Sequence, residues 1–193
     1  MRLLLIGAPG SGKGTQALRI AGHFGITHIS SGELLRRHVA EQTSIGRTVA
    51  EVVARGDLVP DTIVMDILRK PVEAASLNGG YVLDGFPRTV AQAEAAYLVA
   101  KNLNARVQVA LYFKVPRQDL IDRMLRRSHE AGRDDDREDV MLHRLDVFEE
   151  LTVPLLDYYV SREILVTVDG SLPIPEVTNS AIAELERVQP LLT

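Results

Sequence analysis

The stretch Gly7-Ala8-Pro9-Gly10-Ser11-Gly12-Lys13-Gly14-Thr15 decides the fold of this chain. It follows a short apolar run, residues 2–6, which predicts a buried parallel strand. It precedes residues 16–24, whose apolar positions recur at helical spacing. A strand, a glycine-rich turn and a helix in this order predict a phosphate-binding loop. The alternative is an ordinary glycine-rich turn, and the lysine at its end argues against it.

The chemistry of phosphate binding explains the residue types in this loop. Backbone N–H groups have to wrap the phosphates, and glycines remove the side chains that would block this approach. The following helix N-terminus favours anions, and Lys13 adds a positive charge for the outer phosphates, so we expect ATP or GTP. Most such loops place Ser or Thr directly after the lysine, whereas this chain has Gly14. Thr15 is the nearest hydroxyl, so the sequence does not indicate direct magnesium ligation by the loop.

Length and composition limit the classes of protein to consider. A chain of 193 residues suits one domain with a single large core. A net charge of −4 argues against a general nucleic-acid binder, and the absence of cysteine excludes disulfides and cysteine-ligated zinc. We find neither a run of about 18 apolar residues nor a signal-peptide pattern. We therefore expect a cytoplasmic monomer without nucleic-acid or membrane partners.

Strand and helix signals alternate along the rest of the chain. Further strands are predicted at residues 27–30, 81–84, 107–115 and 164–168. Further helices are predicted at residues 44–55, 62–69 with Asp61 as N-cap, 89–103, 117–127, 139–159 with a kink at Pro154, and from about Pro173. Residues 128–136 read as a polar connection. This alternation predicts an α/β fold with helices on both faces of a parallel sheet, and an active site at the carboxyl ends of its strands.

Two charged residues follow the predicted strand at residues 81–84. Asp84 ends that strand, where an acidic residue commonly holds magnesium directly or through its water ligands. Arg88 comes shortly after it and is positioned to reach the same phosphates. The structural alternatives are a capping aspartate and a solvated arginine, and the shared position beside the predicted loop favours function for both.

Several arginines fall between residues 123 and 144. Arg123 and Arg127 share one face of a predicted helix, and with Arg133 and Arg144 they suggest a movable clamp over the transferring phosphate. Arg126 and Arg137 are interpreted as solvated. The five histidines form no metal spacing and no nucleophile–base pattern. Their arrangement favours a phosphate acceptor, which needs alignment and charge neutralisation more than a base.

Five ordered motifs together resemble the adenylate kinase family of nucleoside monophosphate kinases. They are residues 7–16, including the glycine after the lysine, residues 29–36, residues 56–61, residues 84–89, whose Phe-Pro bond is cis in family members, and residues 132–136 with Arg144. The resemblance extends from Met1 to about Gly170.

The resemblance implies a P-loop αβα sandwich with three layers and a central parallel sheet of five strands. Residues 1–193 would form one kinase domain, with a helical monophosphate-binding insertion at 30–59 and a short lid at 126–137. The short lid has no room for the zinc of long-lid members, so Mg²⁺ would be the cofactor. The implied reaction is reversible phosphoryl transfer from ATP to AMP, which gives two ADP.

Site residues follow from the resemblance position by position. Contacts to ATP would come from Gly10, Ser11, Gly12, Lys13, Gly14, Thr15, Arg123, Arg127 and the backbone of Leu172. Contacts to AMP would come from Ser31, Arg36, Asp57, Leu58, Val59, Gly85, Phe86, Pro87, Arg88, Gln92, Arg133 and Arg144. Lys13, Arg88, Arg123, Arg133 and Arg144 would act in catalysis. Asp84 would hold magnesium through water, and Asp135 and Asp136 would serve the magnesium waters and the lid hinge.

Three alternatives remain at this point. A UMP/CMP kinase uses the same chemistry, and Ser31 stands where adenylate kinases typically have threonine. A P-loop kinase of a small hydroxyl metabolite would need a carboxylate base such as Glu33 or Asp61. A nucleotide-binding module without catalysis is the third, although the guanine-reading Asn-Lys-x-Asp pattern is absent.

Overall fold

The computed structural model describes residues 1–131 and 138–191, with the side chains of residues 127–131 excepted. Its centre is one sheet of five parallel strands in the order β2-β3-β1-β4-β5. The strands are β1 (Arg2–Ile6), β2 (Thr27–Ser30), β3 (Tyr81–Asp84), β4 (Val109–Lys114) and β5 (Leu165–Asp169). The predicted α/β fold with a five-stranded parallel sheet is confirmed.

Helices cover both faces of the sheet and form the insertion. They are α1 (Lys13–Phe24), α2 (Ser31–Ala40), α3 (Ser44–Arg55), α4 (Asp61–Leu77), α5 (Val90–Asn102), α6 (Arg117–Ala131), α7 (Glu138–Val147), α8 (Pro154–Val160) and α9 (Ile174–Val188). A π-helical turn (Phe148–Thr152) joins α7 to α8, and a 3₁₀ turn (Gln189–Leu191) follows α9. Within the described ranges, no helix is both long and apolar enough to cross a membrane.

The central strand β1 shows why the sheet needs two helical layers. Successive side chains of a strand point to opposite faces. Leu3 and Leu5 therefore pack in a cluster with α1 and α9, while Leu4 and Ile6 pack with α5 and α8 on the other face. All four side chains are at most 3% exposed. A strand that is apolar on both faces specifies this three-layer arrangement.

Strand register brings the ends of three strands to one edge. Asp84 of β3 pairs with Leu5 of β1 and with Ser30 of β2. The phosphate loop, the start of α2 and the turn after β3 consequently emerge side by side. Ser30 caps α2 by accepting a hydrogen bond from the Glu33 backbone N–H at 3.3 Å, which fixes the direction of the insertion.

The prediction for α4 was wrong at both ends. Asp61 is the first helical residue and Pro60 is the N-cap, and the helix continues to Leu77 through Pro71. A proline inside a helix removes one hydrogen bond. Ile67, Leu68 and Ala75 lie on both sides of Pro71 and are all buried, so packing against the sheet keeps α4 continuous.

Two further predicted bounds need correction. Residues 128–131 belong to α6 and not to a polar connection. The helix predicted at 139–159 is interrupted before Pro154 by the π-helical turn, where the Val153 backbone N–H donates to the Phe148 carbonyl at 3.0 Å. Because proline has no N–H to donate, the hydrogen-bond register changes ahead of it.

Candidate functional site

The phosphate loop connects β1 to the start of α1. The Ser11 backbone N–H donates to the Ala8 carbonyl at 3.1 Å, which closes the turn. Gly10 has φ 83°, and a Cβ there would lie 2.9 Å from the Leu120 carbonyl oxygen, so only glycine fits. The N-cap of α1 is Gly12, and no side chain caps the helix. The loop therefore leaves the N-terminus of α1, with Lys13 as its first residue, open to an anion.

Asp84 lies beside this loop. Its side chain is 8% exposed, and Oδ1 is buried with no hydrogen-bond partner in the described part of the chain. A Cβ on Gly14 would lie 3.8 Å from Oδ2, so the carboxylate lies within van der Waals distance of the residue after Lys13. The Ser11 hydroxyl is also buried without a partner among those residues. Buried polar atoms of this kind normally have partners, so both are suited to a bound group.

This arrangement fits a magnesium ion held by few protein ligands. Among the described residues there is no group of three or more His, Cys, Asp or Glu side chains that could hold a metal. Magnesium in nucleotide sites is held by one or two carboxylates together with phosphate oxygens and water. The single orphaned oxygen of Asp84 meets that requirement.

A cavity lies between the insertion and the turn after β3. It is lined by ten of the residues expected to contact AMP: Ser31, Arg36, Asp57, Leu58, Val59, Gly85, Phe86, Arg88, Gln92 and Arg144. A neighbouring cavity contains Lys13 and Pro87 and shares Leu58, Gly85, Arg88 and Arg144 with the first. The two cavities therefore form a path from the phosphate loop to the insertion.

Two hydrogen bonds hold Arg88 between these cavities, and a third holds its partner Gln92. Its Nε donates to the Gly85 carbonyl at 2.8 Å, and its backbone N–H donates to Gln92 Oε1 at 2.7 Å. Gln92 Nε2 in turn donates to Asp61 Oδ1 at 2.7 Å. Asp61 thus orients Gln92, a role that its position near a helix start did not reveal.

The electrostatics of the path favour an anion. Burial lowers the pKa of the Arg88 guanidinium, and the charge of Arg144 lowers it further. Asp84 raises this pKa, whereas Arg36 lowers it. Three arginines close enough to repel one another mark a place where negative charge is stabilised.

The insertion touches α7 next to Arg144. Gly56 has φ 79°, and a Cβ there would lie 2.6 Å from Arg144 Cγ, so this close packing requires glycine. His143 Nε2 lies 2.8 Å from Asp57 Oδ1, and Arg55 Nε donates to Asp57 Oδ2 at 2.9 Å. The Asp57 side chain is therefore engaged with α7. The contact of His143 with Asp57 was not predicted from the sequence. The position of His143 directly before Arg144 is the feature that could have indicated it.

Arg123 binds the loop that follows β5. Its guanidinium donates to the carbonyls of Gly170 and Ser171 at 2.8 and 2.9 Å. This loop carries Leu172, which is 38% exposed. Arg123 and Leu172, both predicted to contact ATP, are thus connected through the backbone that Arg123 holds.

A second contact holds the same loop from α1. Gln16 Nε2 donates to the Ile174 carbonyl at 3.1 Å, and Thr178 Oγ1 donates to Gln16 Oε1 at 2.8 Å. Both side chains are buried. Sequence reasoning missed this pair, because a Gln on α1 and a Thr on α9 show no spacing that links them.

The two candidate carboxylate bases do not face this path. Glu33 is exposed and lines neither of the two cavities, and Asp61 accepts the hydrogen bond from Gln92. A metabolite kinase that uses either as a base receives no support. The side chain of Arg127 and residues 132–137 lie outside the described part of the chain. The predictions for Arg133, Asp135 and Asp136, and for half of the predicted lid, fall on those residues.

Comparisons with known proteins agree with this geometry. The family model described as adenylate kinase matches residues 5–164. The chain is 41% identical to an adenylate kinase from Kocuria rhizophila over 186 aligned residues. The alignment covers 96% of this chain and 99% of the relative. The chain is also 41% identical over 187 residues to an adenylate kinase from Nocardia farcinica (97% and 100%), and 37% identical over 193 residues to one from Trichodesmium erythraeum (97% and 99%).

Proposed function

Since the chain belongs to the adenylate kinase family and is a phosphotransferase, we propose that its phosphoryl transfer takes place on the path between Lys13 and Arg88. The reaction moves the terminal phosphoryl group of ATP to AMP and gives two ADP. The observation that carries the proposal is that the two cavities share Arg88 and Arg144, with the phosphate loop at one end and the insertion at the other.

ATP binds on the phosphate-loop side in this proposal. Backbone N–H groups of residues 10–15 and Lys13 hold its phosphates, a role supported by the uncapped N-terminus of α1. The adenine lies along the backbone at Leu172. Arg123 fixes that segment through its two carbonyl contacts, and Arg127 completes the donor side.

AMP binds in the cavity beside the insertion. Arg36, Arg88 and Arg144 supply charge for its phosphate, and their mutual proximity supports this role. The base lies toward Ser31, Gln92 and the backbone of residues 57–59. Residues 85–88 form the floor, and Arg133 joins Arg144 on the transferring phosphate.

Catalysis comes from alignment and charge neutralisation. The acceptor is an anionic phosphate oxygen, so the step does not need a general base. Lys13, Arg88, Arg123, Arg133 and Arg144 stabilise the charge on the transferring group. Mg²⁺ would neutralise phosphate oxygens when bound, and the Asp84 carboxylate beside Gly14 would hold it through water.

Closure of two segments would exclude water, which otherwise competes with AMP as acceptor. We assign these roles to the insertion at 30–59 and the lid at 126–137 of a single domain spanning residues 1–193. The contact of Asp57 with His143 supports docking of the insertion against α7. We further propose a cytoplasmic monomer that acts in purine salvage.

The stoichiometry of the products tests the proposal. ATP, AMP and Mg²⁺ supplied together should give two ADP for each ATP consumed, measured by ion-exchange chromatography. Release of inorganic phosphate with AMP unchanged would contradict transfer along this path.

A further inference from the structure

A separate cavity of about 420 Å³ lies between α4, α5 and the end of α8. It is on the far side of Phe86, which lines both this cavity and the one assigned to AMP. Its volume falls within the range of about 300–1,000 Å³ that small-molecule sites occupy.

Small residues on α5 create the space. Ala93, Ala96 and Ala100 recur at intervals of three and four residues and line the cavity together. They face Leu68 and Val72 of α4 across the opening. The walls are mainly aliphatic, and the hydroxyl of Tyr81 is already used as a donor to the Ala105 carbonyl at 2.6 Å. The interior therefore suits an aliphatic group and offers no set of polar atoms to read a nucleotide base.

The rim of the cavity carries an excess of positive charge. Arg69, Arg106 and Arg162 line it, against one acidic residue, Asp66. In the part of the chain that the structure describes, none of the three arginines forms an ion pair, whereas Arg55, Arg117 and Arg187 do. All three are exposed. Three exposed guanidinium groups without an acidic partner, placed around an apolar opening, attract a carboxylate or phosphate.

Two tyrosines place these arginines at the opening. Arg162 stacks over the ring of Tyr158 at 3.5 Å and donates to the Tyr158 carbonyl at 3.1 Å, while Arg106 donates to the Tyr97 hydroxyl at 3.4 Å. Both tyrosines also line the cavity, so the two arginines are held next to its opening.

We propose that this cavity binds a medium-chain aliphatic carboxylate, with the chain between α4 and α5 and the carboxylate at Arg69, Arg106 and Arg162. Dodecanoate, which joins one carboxylate to a flexible aliphatic chain, is the probe of choice. The site is distinct from the ATP and AMP positions and goes beyond the phosphotransferase activity.

Binding is measured directly by isothermal titration calorimetry, because the shared Phe86 makes activity an ambiguous readout. Dodecanoate, kept below its micelle concentration, should bind one site per chain with a dissociation constant in the micromolar range. Dodecanol should bind at least about tenfold more weakly, since it lacks the charge that the rim recognises. Absence of saturable dodecanoate binding, or equal affinity for dodecanol, would overturn the proposal.

Variants separate the chain-binding wall from the rim. Replacing Arg69, Arg106 and Arg162 together with Gln should weaken dodecanoate binding at least about tenfold, whereas the matched control Arg19→Gln on the exposed face of α1 should leave it unchanged. The double variant Ala96→Leu/Ala100→Leu should abolish binding by filling the space, with circular dichroism and Tm confirming that it folds. Retained binding in the filled variant would contradict the assignment. The assignment would also be contradicted if the wild type formed a concentration-dependent dimer, bound no dodecanoate, and became monomeric in the filled variant.

Discussion

Gly14 and Asp84 face each other at the carboxyl ends of β1 and β3, where a Cβ on Gly14 would lie 3.8 Å from Asp84 Oδ2. A side chain at position 14 would therefore be in ordinary van der Waals contact with this carboxylate. The residue that departs from the common phosphate-loop pattern is thus a neighbour of the buried acid that we propose holds magnesium through water.

Asp84→Asn should lower kcat by about 10²–10³ while the protein remains folded. The amide keeps the shape of the side chain but removes the charge that holds magnesium waters. Steady-state rates at increasing Mg²⁺ concentration check this, and the variant should require more Mg²⁺ for half-maximal rate. An unchanged Mg²⁺ dependence would remove Asp84 from the metal site.

Lys13→Met should also lower kcat by about 10²–10³, because the charge it removes stabilises the transferring phosphate. Lys70→Met on the exposed side of α4 is the matched control and should leave kcat unchanged. Circular dichroism verifies that both variants fold. Near-normal turnover by Lys13→Met would refute the placement of the ATP phosphates.

Thr178→Val should destabilise the protein by about 1–3 kcal/mol, because it leaves the buried Gln16 Oε1 without its donor. The loop anchored through Ile174 would also become less fixed, so KM for ATP should rise more than KM for AMP. Chemical denaturation and steady-state kinetics measure the two effects. In a double-mutant cycle, Gln16→Leu/Thr178→Val should cost less than the sum of the single changes; strict additivity would show that the contact is not coupled.

Acid should weaken the docking of the insertion on α7. Hydrogen bonds from Arg55, and then from His143, hold the pKa of the Asp57 carboxyl below its usual value. Stability from a lowered carboxyl pKa is present above the unfolded pKa of about 3.9 and is lost as pH falls through the folded value.

The Tm of the wild type should therefore exceed that of Asp57→Asn by a small amount above about pH 5, and the difference should shrink below about pH 4 and vanish only below the lowered pKa of Asp57. The effect is small because the pair is exposed. Differential scanning calorimetry across this pH range measures it. A difference that grows toward acid pH has the opposite sign and would rule out this linkage.

The strands and the phosphate loop could be predicted because their signals are local. Residues 2–6, 27–30 and 81–84 are short runs bounded by turn residues, and the structure has strands with the same bounds. The course of α4 through Pro71 could not be predicted, since it depends on packing of residues distant in sequence. The sequence predicts a kink in the helix at Pro154, but not that the kink takes the form of a π-helical turn before the proline.

The site divides in the same way. Lys13, Asp84 and Arg88 belong to compact motifs, so the sequence predicts them as one site. Gln16 with Thr178 are 162 positions apart, and Asp57 with His143 are 86 apart, so their pairing depends on the folded topology. Contacts between residues far apart in the sequence therefore could not be predicted, unlike residues that share a compact motif.

The most direct test of the central claim compares AMP, CMP, UMP and GMP as acceptors with MgATP as donor, using a coupled assay for ADP. The account predicts the highest kcat/KM for AMP, with a strong loss in Arg88→Lys, which cannot reproduce the planar guanidinium held at Gly85. A clear preference for CMP or UMP, or ATP binding without transfer to any of the four, would contradict it.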